Sequence, residues 1–510
     1  MLGSSVGDRP IVASTLPFEL DRYRERAESF GEELSREYYR HLAGHKRELD
    51  IERIYEAYAD LFARDSVMAL RQLAGSAAAA DGGRRLRYLL HFGFDGLVGM
   101  ETRAEAAELA GLEASLEVDA GDGEVPYRAV VIEQANEVDA GRRAALEGAR
   151  NAVLEERLNP IYRSALERAH DLCVEFGWPS YAQAYADLRG IDLGGLREQT
   201  AEFLAATDDA YGPLIDAQLE PAGLPALGAL RRSDLPRLFR AAGLDGLFPA
   251  ERLIASFEAT LAGLGIDLGD QPNVHLDTES RPTKSPRAFC STPRVPEEIY
   301  LVIAPTGGRD DYAALFHEGG HTEHYANTVG DLDFEFRKLG DNSVTESFAF
   351  LVEHIVSDPI WLRERLGIDE PAPAVEHSRA VRTVMLRRYS AKLAYELDLH
   401  AASADLARMP QRYSDLLSEA VRVPWPSASW LADVDDGFYA ACYLRAWALE
   451  TQWRAALEER FGERWFASRE AGEWLRKLWR HGQRLDADEL VREALGEELD
   501  FTRLARHVHG

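Results

Sequence analysis

The sequence predicts a mainly α-helical protein with a small β-sheet, and three observations predict it. Apolar positions recur at helical spacing through residues 16–176, one short apolar run at 298–304 reads as a strand, and the last 150 or so residues are again helical in pattern. Residues 16–43 and 49–74 alternate apolar and charged positions, for example Ile51, Ile54, Tyr55, Tyr58 and Leu61. Residues 84–115 and 140–176 continue the pattern, and Pro160 is expected to kink or divide the latter. Asp119 to Gly123 reads as a loop and Tyr127 to Ile132 as a short strand. Gly177-Trp178-Pro179-Ser180 breaks the chain before further helices. Residues 269–297 are rich in Pro, Asp, Ser and Thr and read as loop or irregular strand, and a Pro-rich break falls at 422–437. There is no internal repeat and no low-complexity tract.

Composition narrows the function classes. At 510 residues the chain exceeds one small core, so two domains or lobes are expected. Its 46% apolar and 28% charged content is ordinary for a globular protein. The net charge of −29, from 58 basic against 87 acidic residues, argues against nucleic acid and against anionic membranes. Cys173, Cys290 and Cys442 are far apart and show no C-x-x-C spacing, so a reducing cytoplasm is expected. Residues 1–10 lack the basic and apolar regions of a signal peptide, and no run of 18 apolar residues predicts a membrane span.

The chemistry concentrates in His317-Glu318-Gly319-Gly320-His321, an H-E-x-x-H pattern. Residues four apart on a helix lie one above the other, so His317 and His321 can share one Zn²⁺, with Glu318 beside a water that the metal activates. Such a pattern arises by chance about once in twenty-five chains of this kind, and context must decide. The 298–304 strand and the Pro305-Thr306-Gly307-Gly308 loop lead into it, and Asp310 and Asp311 suit the first turn of a helix. Gly319 and Gly320 each cost about 1 kcal/mol against Ala in a helix. They work against the local structure, as functional sites often do, and they let another backbone come close.

Catalytic zinc needs a third protein ligand. Asn342 to His354 reads as a largely buried helix, with Ser343 or Asn342 as N-cap. Glu346 stands in its apolar run, where a lone carboxylate is costly unless it meets a cation. Glu353 follows two turns later on the same face. One of the two is expected to be a ligand and the other to orient a histidine.

These residues resemble the thimet oligopeptidase and oligoendopeptidase F family of zinc metallopeptidases, peptidase family M3. That family carries H-E-x-G-H with a further His on the same helix, matched here by His317, Glu318, Gly320, His321 and His324. Its third ligand is a Glu 29 residues past the first His, and 346 − 317 = 29. A second Glu seven residues on is matched by Glu353. The resemblance covers roughly residues 200–510, including Arg287 to Cys290, Leu386 to His400 and Gly482 to Leu490. It implies a zincin-like fold with a small sheet beside the metal helix and helical lobes around a channel. It divides the chain into an N-terminal helical domain, 1–200, and a catalytic domain, 201–510.

The resemblance also implies roles. Zinc would be held by His317, His321 and Glu346, with Glu318 as general base and proton shuttle. An edge strand before the metal helix would bind short peptide substrates through their backbone. Tyr439 matches a family tyrosine that donates to the oxyanion. The second such tyrosine falls at Cys442 without a gap and at Tyr443 with one. His324 would contact substrate or Glu353, or be structural. The chain departs from the family where Trp430 stands about where a substrate-contacting His is usual. The expected activity is hydrolysis of internal bonds in short peptides. A related metallocarboxypeptidase would need a cation for the substrate carboxylate, and a peptide-binding homologue would have lost the chemistry.

Overall fold

A computed structural model describes residues 18–76, 81–121 and 123–509. Helices dominate it, with two small sheets. Those needed below are α1 (Leu20–Leu42), α2 (Asp81–Glu101), α3 (Tyr181–Arg189), α4 (Arg309–Ala326), α5 (Asn342–Ile355) and α6 (Tyr439–Phe461). The strands are β1 (Glu117–Asp119), β2 (Glu124–Pro126), β3 (Val274–Asp277), β4 (Phe289–Arg294) and β5 (Glu298–Val302).

The long periodic stretches are helical but subdivided. Of the expected 16–43 helix, residues 16 and 17 lie outside the described residues. The 49–74 stretch forms helices Ile51–Ala57 and Arg64–Ser76 around a 3₁₀ turn. Pro160 sits in the first turn of the Asn159–Glu175 helix, after a π-type turn at Leu154–Leu158. The helical run is unbroken from Ala140, and the wider π turn just before Pro160 is where its ring and missing N–H are absorbed.

The strand expected at Tyr127 to Ile132 is not one. Tyr127–Ala129 is a 3₁₀ turn and Val130–Asn136 a helix. Tyr127 and Val130 are buried, three apart, whereas Val131 and Ile132 are exposed at 42% and 65%. That is helical periodicity, and the β-branched run misled. The extended residues instead flank the predicted loop, where β1 and β2 pair antiparallel with Val118 opposite Val125.

The second sheet has order β3-β5-β4. Central β5 runs parallel to β3 and antiparallel to β4, with Ile299, Leu301 and Val302 buried. β4 is therefore an edge strand, and α1 packs beside it, with the Ser291 hydroxyl donating to the Ser35 carbonyl at 3.2 Å.

Two large apolar clusters among the described residues, beside a small one around Val118, Val125 and Leu146, organise the molecule. The larger joins residues of the first 240, such as Phe94 and Ile215, to Tyr395, Trp430 and Leu444. The other surrounds α4 and α5 with Phe257, Phe316, Phe348, Trp361 and Trp453. Within it the glycines of the motif are sterically required. A Cβ on Gly320 would lie 2.5 Å from the Phe348 carbonyl oxygen and 2.6 Å from Ala349 Cα, both on α5. A Cβ on Gly319 would meet the Phe257 ring at 2.4 Å.

Gly320→Ala should therefore destabilise the protein by about 1–3 kcal/mol, although Ala is the better helix former. Gly148→Ala, on an exposed helical site with nothing within 4 Å of its Cβ, should stabilise slightly. Urea midpoints of the two variants against wild type check both signs.

Candidate metal centre

The entry to α4 is fixed locally. Gly307 and Gly308 turn with φ of +84° and +89°. The Asp311 carboxylate accepts the Thr306 and Gly307 N–H groups at 2.6 and 2.8 Å. The start of α5 corrects an expectation: its N-cap is Asp341, not Asn342 or Ser343. Asp341 accepts the Ser343 N–H at 2.9 Å and is anchored by the Ala487 N–H at 3.1 Å and Arg445 at 3.4 Å. A charged carboxylate with three partners outcompetes the neutral caps next to it.

This contact between α4 and α5 brings His317, His321 and Glu346 together, with one potential ligand atom from each lying within 4.8 Å of the others. Glu346 Oε2 stands 3.4 Å from His317 Nε2 and 3.6 Å from His321 Nε2. Each group is oriented from behind. Glu353 Oε2 is 2.9 Å from His317 Nδ1. A carboxylate can only accept, so Nδ1 carries the proton there and Nε2 faces Glu346. His321 Nδ1 is 2.8 Å from the Thr345 hydroxyl. The Tyr439 hydroxyl donates to Glu346 Oε1 at 2.7 Å.

The test of a cation at this place is Glu346 Oε2. It is buried and has no hydrogen-bond partner, although two imidazole nitrogens flank it. A buried carboxylate oxygen left this way is costly unless a positive charge meets it. Two nitrogens and one oxygen are a donor set that suits a divalent metal such as Zn²⁺. The residues fit. Without a metal, a proton takes its place. Burial opposes charge on His317, but the facing Glu346 carboxylate and the Glu353 carboxylate, which accepts the Nδ1 proton, outweigh it and push its pKa up to about 10. Burial works to raise the Glu346 pKa, yet the same two histidines hold it well below the usual carboxylate range.

Glu318 extends from the same helix to the sheet, where its Oε2 accepts the Cys290 N–H of β4 at 2.8 Å. The edge of β4 thus lies beside the carboxylate expected to move protons.

The remaining expected residues separate. Tyr439 and Tyr443 meet edge to face at 5.0 Å. The one Tyr439 proton is committed to Glu346, whereas no hydrogen bond to the Tyr443 hydroxyl is formed within the described residues. His324 is fully buried, 3.2 Å from the Gly482 carbonyl, and burial pulls its pKa down to about 3. It braces the back of α4 and meets neither Glu353 nor the open side of the site. Trp430 is 8% exposed and belongs to the larger apolar core.

Sequence reasoning missed Thr345, whose place next to Glu346 was the available signal. It also missed a clamp from far upstream. Gly437 and Phe438, just before α6, are both left-handed, with φ of +58° and +59°. The Gly437 N–H donates to the Tyr181 hydroxyl at 2.9 Å, and Arg189 Nε donates to the Gly437 carbonyl. The Arg189 guanidinium also lies 5.6 Å over the Tyr439 ring. α3 therefore sets where Tyr439 starts its helix, and nothing in the sequence links positions so far apart.

No family model matches the chain, and no curated protein does.

Glu353→Gln should weaken divalent cation affinity by about 10–100-fold while leaving one site per chain. Because His317 must lose a proton to bind a cation, affinity should fall at least about tenfold between about pH 8 and about pH 6. Competition titrations against a chromophoric chelator measure both.

Proposed function

We propose that the chain is a zinc-dependent oligopeptidase of the M3 type, with a zincin-like catalytic region, that hydrolyses internal bonds of short peptides. The observation that carries this reading is the partnerless Glu346 Oε2 of α5 between the two imidazoles of α4, with Glu318 next to His317 on α4. The three cysteines, all free, support a reducing cytoplasmic setting.

His317, His321 and Glu346 would hold the metal, which when bound lowers the pKa of water toward neutrality and polarises a carbonyl. The other steps belong to the chain. Glu318, anchored on the edge of β4, takes the proton of the attacking water and passes it to the leaving amine. A peptide laid along that edge presents its scissile carbonyl beside Glu318. Tyr443 carries a hydroxyl free to donate to the developing oxyanion, while Tyr439 donates there only by leaving Glu346. Thr345 and Glu353 keep the imidazoles oriented throughout.

Mass spectrometry of mixed 6–20-residue peptides incubated with zinc-loaded protein tests the proposal. Internal cuts should appear, should vanish on chelation, and should fall by about 10²–10⁴ in Glu318→Gln. A protein that binds one zinc and cuts none of these peptides overturns the enzyme reading in favour of a peptide-binding protein.

A further inference from the structure

A cavity of about 310 Å³ lies between α1, α2 and the turn that enters α5. Phe30, Tyr55, Phe62 and Phe92 give it an aromatic wall. Three polar groups in its lining are incompletely partnered, one of them His91, whose Nε2 lies 3.1 Å from Asp95 without forming a hydrogen bond. Tyr88 is 2% exposed, and its buried hydroxyl has no hydrogen-bond partner. Lys338 donates to the Thr292 carbonyl and hydroxyl, both neutral, and forms no other hydrogen bond within the described residues. An ammonium has three donors, so one is left. Glu32, the acid that acts on Lys338 electrostatically, is turned to Arg36 at 3.3 Å. Asp95, at another part of the lining, is already held by the Tyr185 hydroxyl at 2.8 Å and by His91 at 3.1 Å.

The cavity is tied to the metal centre. Lys338 grips β4 at Thr292, and Glu318 grips the same strand at Cys290. Two residues along a strand is about 7 Å. A peptide following this edge past Glu318 would run into Lys338 after about two residues.

We infer that this cavity receives the C-terminal residue of a peptide, its carboxylate bound by Lys338 and Tyr88 and a bulky apolar side chain held by the aromatic wall. The inference rests on the peptidase reading for the bond cut, though not for the binding itself. The charge favours one end of the peptide: the spare Lys338 donor and the Tyr88 hydroxyl suit a carboxylate, while the Asp95 carboxylate that would draw an ammonium is already paired with Tyr185 and His91. The volume suits one aromatic side chain with its terminal carboxylate. Substrates should therefore need a free C-terminus, and cuts should fall about two residues from it.

The test compares acetyl-Gly-Ala-Phe with its C-terminal amide by calorimetry on Glu318→Gln protein, and parallel six-residue acids and amides for cleavage by wild type. The free acid should bind at least about tenfold tighter than the amide, the loss expected for one charge-assisted hydrogen bond. Lys338→Met should erase that preference, and Tyr88→Phe should reduce it severalfold. The wild-type acid-to-amide ratio needs no variant, so a misfolded Lys338→Met leaves the test intact. Metal-dependent cleavage with equal binding of acid and amide overturns the inference and leaves the peptidase standing. Acid preference lost in Lys338→Met, without any cleavage, supports the subsite and overturns the peptidase.

Discussion

Two helix backbones touch at Gly320, and the candidate site exists because they do. α4 supplies two imidazoles and α5 the carboxylate, so their separation is the separation of the ligands. A side chain at Gly320 would sit inside van der Waals contact of Phe348 and Ala349. The apolar surroundings then hold the pair rigidly, with Phe316, Phe348, Trp361 and Trp453 all fully buried. Burial also makes the site's electrostatics strong. A carboxylate at 5% exposure cannot stay ionised alone, and its pKa is held down only because two histidines face it.

The second constraint is the edge of β4. An edge strand is an open row of hydrogen-bonding groups, and proteins cover or exploit such rows. Here Cys290 faces Glu318 and Thr292 faces Lys338, so both exposed backbone positions are met by ionisable side chains. The same strand is thereby marked at two points along its length.

The legible parts of this molecule were those with local rules. His317 and His321 were legible because a helix stacks residues four apart, and Glu346 because a carboxylate in an apolar run needs a reason to be there. Gly319 and Gly320 read as a close approach, and the backbone of α5 and the Phe257 ring are what approach them. Errors came where two local rules competed. The β-branched residues at 130–132 obeyed helical burial, and Asp341 took the cap from its neutral neighbours. His324 shares a helix with the motif but lies on its back, packed against the Gly482 carbonyl. The rest was illegible because it depends on long-range contacts. Cys290, Lys338, Arg189 and Tyr181 gain their meaning only from partners that no spacing in the sequence connects to them.

The clamp on Gly437 bears on how such a protein is inherited. Arg189 and Tyr181 precede residue 200, yet they hold the turn from which Tyr439 launches. The larger apolar cluster likewise threads residues from both ends of the chain into one interior. A segment starting at residue 201 would carry every candidate ligand, but the Gly437 amide and carbonyl would lose their partners and Tyr439 its support. The site is thus not a transferable cassette. Gene fusion or exchange that replaced the first 200 residues would have to bring an equivalent arginine and tyrosine with it.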